Sequence, residues 1–195
     1  MKATAVTKDR IIAAAVDMIA LRGIASLTIA SIADRCGVSS ALVHYHFSTK
    51  SQLLRAAAGR LAAARTEDRQ ASVRRRGIAA LDGLWQQIED SVASRTEQAW
   101  HDLLLIARED RAVAAEVERA REAEWRALAR RLPALFTELG SAPPASVEEI
   151  ALAILALADG IALGMAAGAP RDALKSAYDA SWLALIAAGQ SGARR

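Results

Sequence analysis

The sequence predicts an all-α fold of about nine helices, and three observations carry that expectation. Hydrophobic residues make up 53% of the 195, much of that alanine, with few β-branched runs and only four prolines. Apolar side chains recur at the 3.6-residue spacing of an amphipathic helix in segment after segment, and no strand-like alternation appears. Between the segments stand short breakers of glycine, serine and proline, where helices end and begin. A chain of this length suits one or two small domains and can bury a real core.

The first helix is expected from about Lys8 to Arg22, capped by Thr7 and ended by Gly23, with Ile11, Ile12, Ala15, Met18 and Ile19 forming its apolar face. A leader peptide is the competing reading of Ile11 to Leu21. Asp17 interrupts the stretch and no clear cleavage site follows, so we reject it.

The stretch from Leu27 to Leu54 organises the rest. Thr28 is a good N-cap, since its hydroxyl can accept from a free first-turn amide. Ile29, Ile32 and Ala33 give the helix one apolar face. Gly37 can take the left-handed conformation that ends a helix, and Val38 then turns back into the core. Ser39 caps a second helix carrying Val43 and Phe47 inward. Helix, glycine turn, helix is the arrangement of a helix-turn-helix, whose second helix enters the major groove of DNA. The recognition helix would run from Ser39 to Phe47, presenting Ser40, Ala41, His44 and Tyr45 outward with Leu42 partly so. Ser40 can bond to several base edges, and Ala41 or Leu42 can meet a thymine methyl. Tyr45 is a plausible phosphate donor. Lys50, following Ser48 and Thr49 at the start of a fourth helix, can hold a phosphate with its charge and the free amides there.

These residues resemble a known family. Thr28, Ile32-Ala33, Gly37-Val38-Ser39, His46-Phe47, Lys50 and Leu53-Leu54 are similar, at fixed spacing over roughly the first quarter of the chain, to the N-terminal domain of TetR/AcrR-type transcriptional regulators. Carried over residue by residue, the resemblance places Thr28, His44, Tyr45 and Lys50 at DNA-contacting positions. His44 stands where the family often has tyrosine, and Leu42 where it often has threonine. The resemblance implies a DNA-binding domain over 1–49 and an effector-binding and dimerisation domain over 50–195. It further implies a ligand-responsive regulator, most often a repressor, in which effector binding releases DNA.

The fourth helix is expected from Lys50 to about Gln70, with Leu53, Leu54, Ala57 and Leu61 inward and Arg55, Arg60, Arg65 and Arg69 mostly outward. Arg74-Arg75-Arg76-Gly77 reads as a solvated basic turn. Helices follow over Ile78 to Val92, Thr96 to Arg108, and Arg111 to about Leu139, where Pro133 should kink or interrupt the last. Gly140 to Ala145 is a linker, and Ser146 with Glu149 fits a capping box. The helix it opens runs to about Ala167. A final helix starts at Pro170 and ends near Ala188, leaving Gln190 to Arg195 frayed.

Ile150 to Ala169 carries one charge, Asp159, in about twenty residues. A mid-span carboxylate costs about 2.5–3.5 kcal/mol to insert in a bilayer, so a buried helix of a water-soluble bundle is the better expectation, with no membrane partner. The charge is divided along the chain. Met1 to Arg76 holds 13 Lys+Arg against 5 Asp+Glu, net +8, and the remainder holds 12 against 17, net −5. A basic head on a mildly acidic body fits nucleic-acid binding fused to something else. The single Cys36 suits a reducing cytoplasm and a small buried hydrophobe.

One head reads too few base pairs to be selective, and a two-fold homodimer reading a palindrome solves this, with half-sites about 34–36 Å apart or somewhat farther. Gly160, Gly164 and Gly168 recur every four residues, which points to close backbone approach along one stripe. The expected interface is a four-helix arrangement of Glu148–Ala167 and Asp172–Ala188 from both protomers, with Trp182 beside the stripe; packing within one protomer is the alternative.

In the body, Trp85, Trp100 and Trp125 with Ile88, Leu103, Leu104 and Leu128 either fill a core or wall a cavity. On the family resemblance they would hold a small, mostly apolar or aromatic effector, with His101, Glu122 or Asp159 as a polar contact. No metal or cofactor is expected. Three histidines and one cysteine make no triad or metal cluster, His44 and His46 point to different sides, and no glycine-rich phosphate loop is present. An all-α carrier or enzyme is the alternative from another class. A DNA-binding structural protein without an effector is a third reading, and it survives if the body is solid.

Overall fold

The computed structural model describes residues 2–192, and packing divides them into two compact units. One unit comprises the chain up to Arg65 together with Ser94–Arg121; the other comprises Thr66–Ala93 and the chain from Glu122 onward. Nine α-helices and one 3-10 turn make up the described residues, with no strand among them.

In the first unit, α1 (Lys2–Arg22) begins well before the expected start, so Thr7 lies inside the helix rather than capping it. Ile11, Ala15, Met18 and Ile19 are buried as expected, and Gly23 ends the helix at φ +73°. A 3-10 turn, Ile24–Ser26, is tied by the N–H of Ile24 donating to Asp102 Oδ2 at 3.0 Å. α2 (Ile29–Cys36) and α3 (Ser40–His46) are the helix-turn-helix pair. At the start of α2, Thr28 Oγ1 accepts from Ser31 N–H (3.1 Å) while Ser31 Oγ accepts from Thr28 N–H (3.0 Å), satisfying two amides reciprocally. At its end Gly37 sits at φ +63°, with Val38 N–H donating to Ala33 O and Gly37 N–H to Asp34 O. That pair of bonds is the Schellman closure, and only glycine adopts it without strain.

α4 (Lys50–Val73), α6 (Thr96–Ala107) and the start of α7 (Arg111–Glu138) complete this unit. Leu53, Leu54, Ala57 and Leu61 from α4, Trp100 and Leu103 from α6, and Val113 and Val117 from α7 join Ile32, Ala33, Val43 and Phe47 in one core. Cys36 is a buried free thiol whose pKa burial pushes up, as befits a packed hydrophobe. Asp110 caps α7, accepting from Ala112 N–H (2.9 Å) and Val113 N–H (3.2 Å).

The second unit is built on α5 (Ile78–Ala93), the rest of α7, α8 (Val147–Ala166) and α9 (Arg171–Gly192). Its core gathers Leu84, Trp85, Ile88, Leu132, Phe136, Ile150, Ile154, Ile161, Tyr178 and Trp182. α7 runs through Pro133 without interruption. A mid-helix proline costs about 3 kcal/mol, and the fully buried Leu132, Leu135 and Phe136 around it offset that. The basic turn after α4 is stapled rather than merely solvated: Arg131 donates to Val73 O (2.9 Å) and Arg75 O (3.0 Å), and Gly77 N–H donates to Glu138 Oε2 (2.9 Å). Ser146 and Glu149 form the expected capping box.

Three expectations need correction here. Arg65 and Arg69 are not outward: they are 3% and 7% exposed, because α4 places them on its buried stripe, where carboxylates neutralise them. α9 continues to Gly192 rather than stopping near Ala188, since Gly189 packs inward against the Ala142 backbone and the Ser141 hydroxyl; residues 193–195 of the expected frayed tail lie outside the described residues. α8 is buried on one face only. By length and composition it could cross a membrane, with a mean hydropathy of 1.9. Its inner face packs in the core, and Leu152, Ala153, Ala156 and Leu163 stand outward.

Candidate DNA-reading site

α3 is seven residues long and is fixed at both ends. Ser39 Oγ accepts from Leu42 N–H at 3.2 Å, and Phe47 N–H donates to Val43 O at 2.9 Å. Val43 and Phe47 anchor its inner face, leaving Ser40, Ala41, His44 and Tyr45 exposed and Leu42 half-buried. Tyr45 is 75% exposed, an unusual position for a large aromatic that packs only edge-on to His46. Ser39, Thr28 and Lys50 are exposed as well. Lys50 is the first residue of α4, whose start is organised by Thr49 Oγ1 accepting from Gln52 N–H (3.2 Å) and Gln52 Oε1 accepting from Ser48 N–H (3.0 Å). α3 presents short polar side chains, a histidine and a phenol on one capped helix, and Lys50 stands at the start of the next. Such a set can bond base edges and phosphates.

The residues expected at an effector site separate into the two units. Trp100, His101 and Leu104 belong to the first, where Trp100 is fully buried with the Arg65 guanidinium 4.9 Å from its ring. His101 Nε2 stands 4.0 Å from Glu97, which is ion-paired to Arg65. Trp85, Ile88, Trp125 and Asp159 belong to the second. Trp85 and Ile88 fill its core, Trp85 against Tyr178 at 5.4 Å between ring centroids. Trp125 lies at the edge, its indole N–H donating to Glu148 O at 3.0 Å. Glu122 is an exposed partner of Arg126.

Asp159 leads to a cluster that the sequence reading missed. Arg69 Nη2 donates to Asp159 Oδ1 at 3.0 Å, and Arg69 Nη1 lies 3.5 Å from Glu124 Oε2. Arg69 and Glu124 line a cavity of about 20 Å³ walled by Val73, Leu84, Leu128 and Ile154. That volume holds about one water. The signal was present in α4, where the stripe of Ala58, Leu61 and Ala62 continues through Arg65, Arg69 and Val73. Arginines on such a stripe must meet acids.

The glycines also separate. A Cβ at Gly160 would meet nothing within 4 Å, whereas one at Gly164 would lie 3.3 Å from Leu174 of α9. Gly168 is not on the helix at all. It follows the end of α8 at φ +85°, with Ala169 N–H donating to Gly164 O in a Schellman closure. Trp182, expected at a partner surface, is 2% exposed inside its own protomer, because it packs beside Tyr178. The outward faces of α8 and α9 carry Leu152, Leu163 and Leu183 among alanines. Among the described residues, no group of three or more His, Cys, Asp or Glu side chains is placed to hold a metal ion.

Residues 11–57 match the model of the bacterial regulatory proteins of the tetR family. No curated protein matches the chain. Among solved structures, a transcriptional regulator from Rhodococcus sp. Rha1 is 23% identical, with a TM-score of 0.72 over 95% of this chain and 96% of that one. A transcriptional regulator from Saccharomonospora viridis, in complex with choline, is 21% identical, with a TM-score of 0.71 over 88% and 93%. A TetR transcription regulator from Haloarcula marismortui is 20% identical, with a TM-score of 0.73 over 94% and 98%. These likenesses extend the shared fold over nearly the whole chain.

Proposed function

We propose that this chain, a DNA-binding transcriptional regulator of the TetR family, acts as a homodimeric repressor that reads a palindromic operator. Residues 1–49 serve as its DNA-binding domain, and 50–195 serve dimerisation and effector binding. The observation that carries the reading is α3: capped at both ends, anchored by Val43 and Phe47, and offering Ser40, Ala41, Leu42, His44 and Tyr45 on its open side. Thr28, Ser39 and Lys50 hold the flanking phosphates. The apolar outward faces of α8 and α9 support pairing of two copies, with Gly160 and Gly164 near the crossing and Gly168 just beyond it. The site of action is the cytoplasm, consistent with a buried free thiol.

Selection of bound duplexes from a random-sequence pool tests this reading. An inverted repeat should emerge, and sedimentation at micromolar concentration should give a dimer. Recovery of unrelated sequences without symmetry refutes it.

The effector would be small and mostly apolar or aromatic, lodged beside the Arg69–Asp159 pair, where Leu84, Leu128 and Ile154 supply the apolar wall. The small cavity favours a second reading, a DNA-binding protein without an effector, because the walls must part to admit anything larger than water. Tryptophan fluorescence against a panel of apolar and aromatic compounds separates the two: a saturable change that also lowers operator affinity supports the effector.

A further inference from the structure

A cleft of about 350 Å³ opens in the first unit beside the end of the recognition helix. Lys8, His46, Phe47, Gln52, Arg55 and Glu116 line it. Its chemistry is that of a donor-rich hollow with an aromatic floor. Lys8 Nζ stands 5.7 Å from the centre of the Phe47 ring. Arg55 is more than half exposed and only loosely held, its Nε 3.6 Å from Glu116 Oε2. Glu116, the one carboxylate in the lining, is already engaged at closer range by Arg119. Its charge is therefore answered from outside the cleft, and Lys8 and Arg55 remain as two cations facing one open volume. His46 adds a ring nitrogen, Nε2, that is buried without a hydrogen-bond partner. Gln52 ties the cleft to the turn that carries Lys50, since its Oε1 accepts from Ser48 N–H.

We propose that this cleft binds an anionic group of phosphate or carboxylate type, with Lys8 and Arg55 as its charge partners. The group comes either from the DNA backbone, as a contact beyond those of the recognition helix and Lys50, or from a free small anion. Arg55 is the residue that must choose, because swinging toward the anion releases Glu116 to Arg119. Glu116 then acts as the brake on affinity. A purely structural role for these side chains would not make anion binding tighter when Glu116 loses its charge.

The test uses the full chain and the variants Lys8→Ala, Arg55→Ala and Glu116→Gln, with Lys8→Arg and Arg55→Lys as rescues; thermal melts confirm that each folds. Duplex affinity is measured against salt concentration, on the selected operator and on unrelated DNA. Separately, inorganic phosphate and acetate are titrated at constant ionic strength without DNA, following the ring resonances of His46 with His101 as internal control. A backbone contact lowers the slope of log affinity against log salt by about 0.9 in each alanine variant, and phosphate leaves the His46 signals unmoved. A free-anion site gives a saturable His46 shift that Arg55→Ala abolishes. In either case Glu116→Gln tightens binding several-fold and the conservative variants restore it. Slopes equal to wild type together with no selective His46 shift overturn the proposal. That result would leave the operator preference of α3 intact, so it is distinct from failure of the operator reading, which shows as lost sequence preference in the wild-type chain.

Discussion

Substituting Gly160 by alanine separates a protomer effect from an interface effect, because the two have opposite signs. Within its own protomer, a Cβ at Gly160 meets no atom within 4 Å, and the residue lies in the interior of α8. Alanine there should add about 0.8–1.0 kcal/mol of helix stability, which raises the melting temperature of a chain this size by roughly 2–4 °C. If the partner's α8 crosses at this point, the same methyl group meets backbone instead. Overpacking of that kind costs about 1–3 kcal/mol, and two-fold symmetry makes each copy suffer it. The combined penalty of roughly 2–6 kcal/mol weakens the dimer by more than tenfold, at about 1.4 kcal/mol per decade. The assay is sedimentation across a concentration series, paired with melts well below and well above the dimer dissociation constant. At low concentration Gly160→Ala should melt higher than wild type; at high concentration it should lose that advantage and dissociate sooner. A variant that is more stable yet dimerises as tightly as wild type refutes close approach at Gly160. Gly164→Ala is the control, since Leu174 at 3.3 Å already explains that glycine within one protomer.

Further outcomes follow from single interactions. Lys50→Ala should weaken binding to operator and unrelated duplex alike and lower the salt slope by about 0.9, read in a fluorescence-anisotropy titration. Arg65→Met should destabilise the fold by about 3–5 kcal/mol, because it strands the carboxylate of Glu97, which is 1% exposed; urea unfolding measures the loss, and Arg65→Met with Glu97→Gln should recover part of it. The Ser51 hydroxyl, with the N–H groups of Val113 and Ala112, holds the Asp110 carboxyl below the usual carboxylate range. A lowered carboxyl pKa stabilises the fold above the unfolded-state value of about 4, and that contribution is lost as pH falls through the folded-state value. Asp110→Asn should therefore flatten the acid limb of the stability profile while keeping the cap on α7.

The parts of this molecule that read directly from sequence are those decided by neighbours in the chain. Thr28, Gly37, Ser39 and Ser146 each settle a helix end through contacts within five residues, and all four do so in the structure. The inward–outward division of α3 was legible for the same reason, as Val43 and Phe47 alone fix its rotation. What escaped was decided by partners far along the chain. Arg65 and Arg69 are charged, and a single helix read by itself turns charges outward. Only Glu97, Glu124 and Asp159, between 32 and 90 residues away, make burial tolerable. Pro133 forfeits a local bond and so reads as a kink or an interruption, yet the helix continues through it among the buried Leu132 and Phe136. Gly168 matched the spacing of a helical stripe, yet its conformation is that of a terminator. Trp182 falls in the helix expected to pair with a partner, yet Tyr178 and the core of its own protomer claim it.

The placement of the four tryptophans has a practical consequence for spectroscopy. None lies in the helix-turn-helix, and only Trp100 lies in the unit that contains it; Trp85, Trp125 and Trp182 all report on the other. Replacing those three by phenylalanine would leave a lone indole, sealed from solvent beneath the Arg65 guanidinium. Its emission would register whether docking on a duplex tightens or loosens the packing beneath the recognition element, without an attached dye.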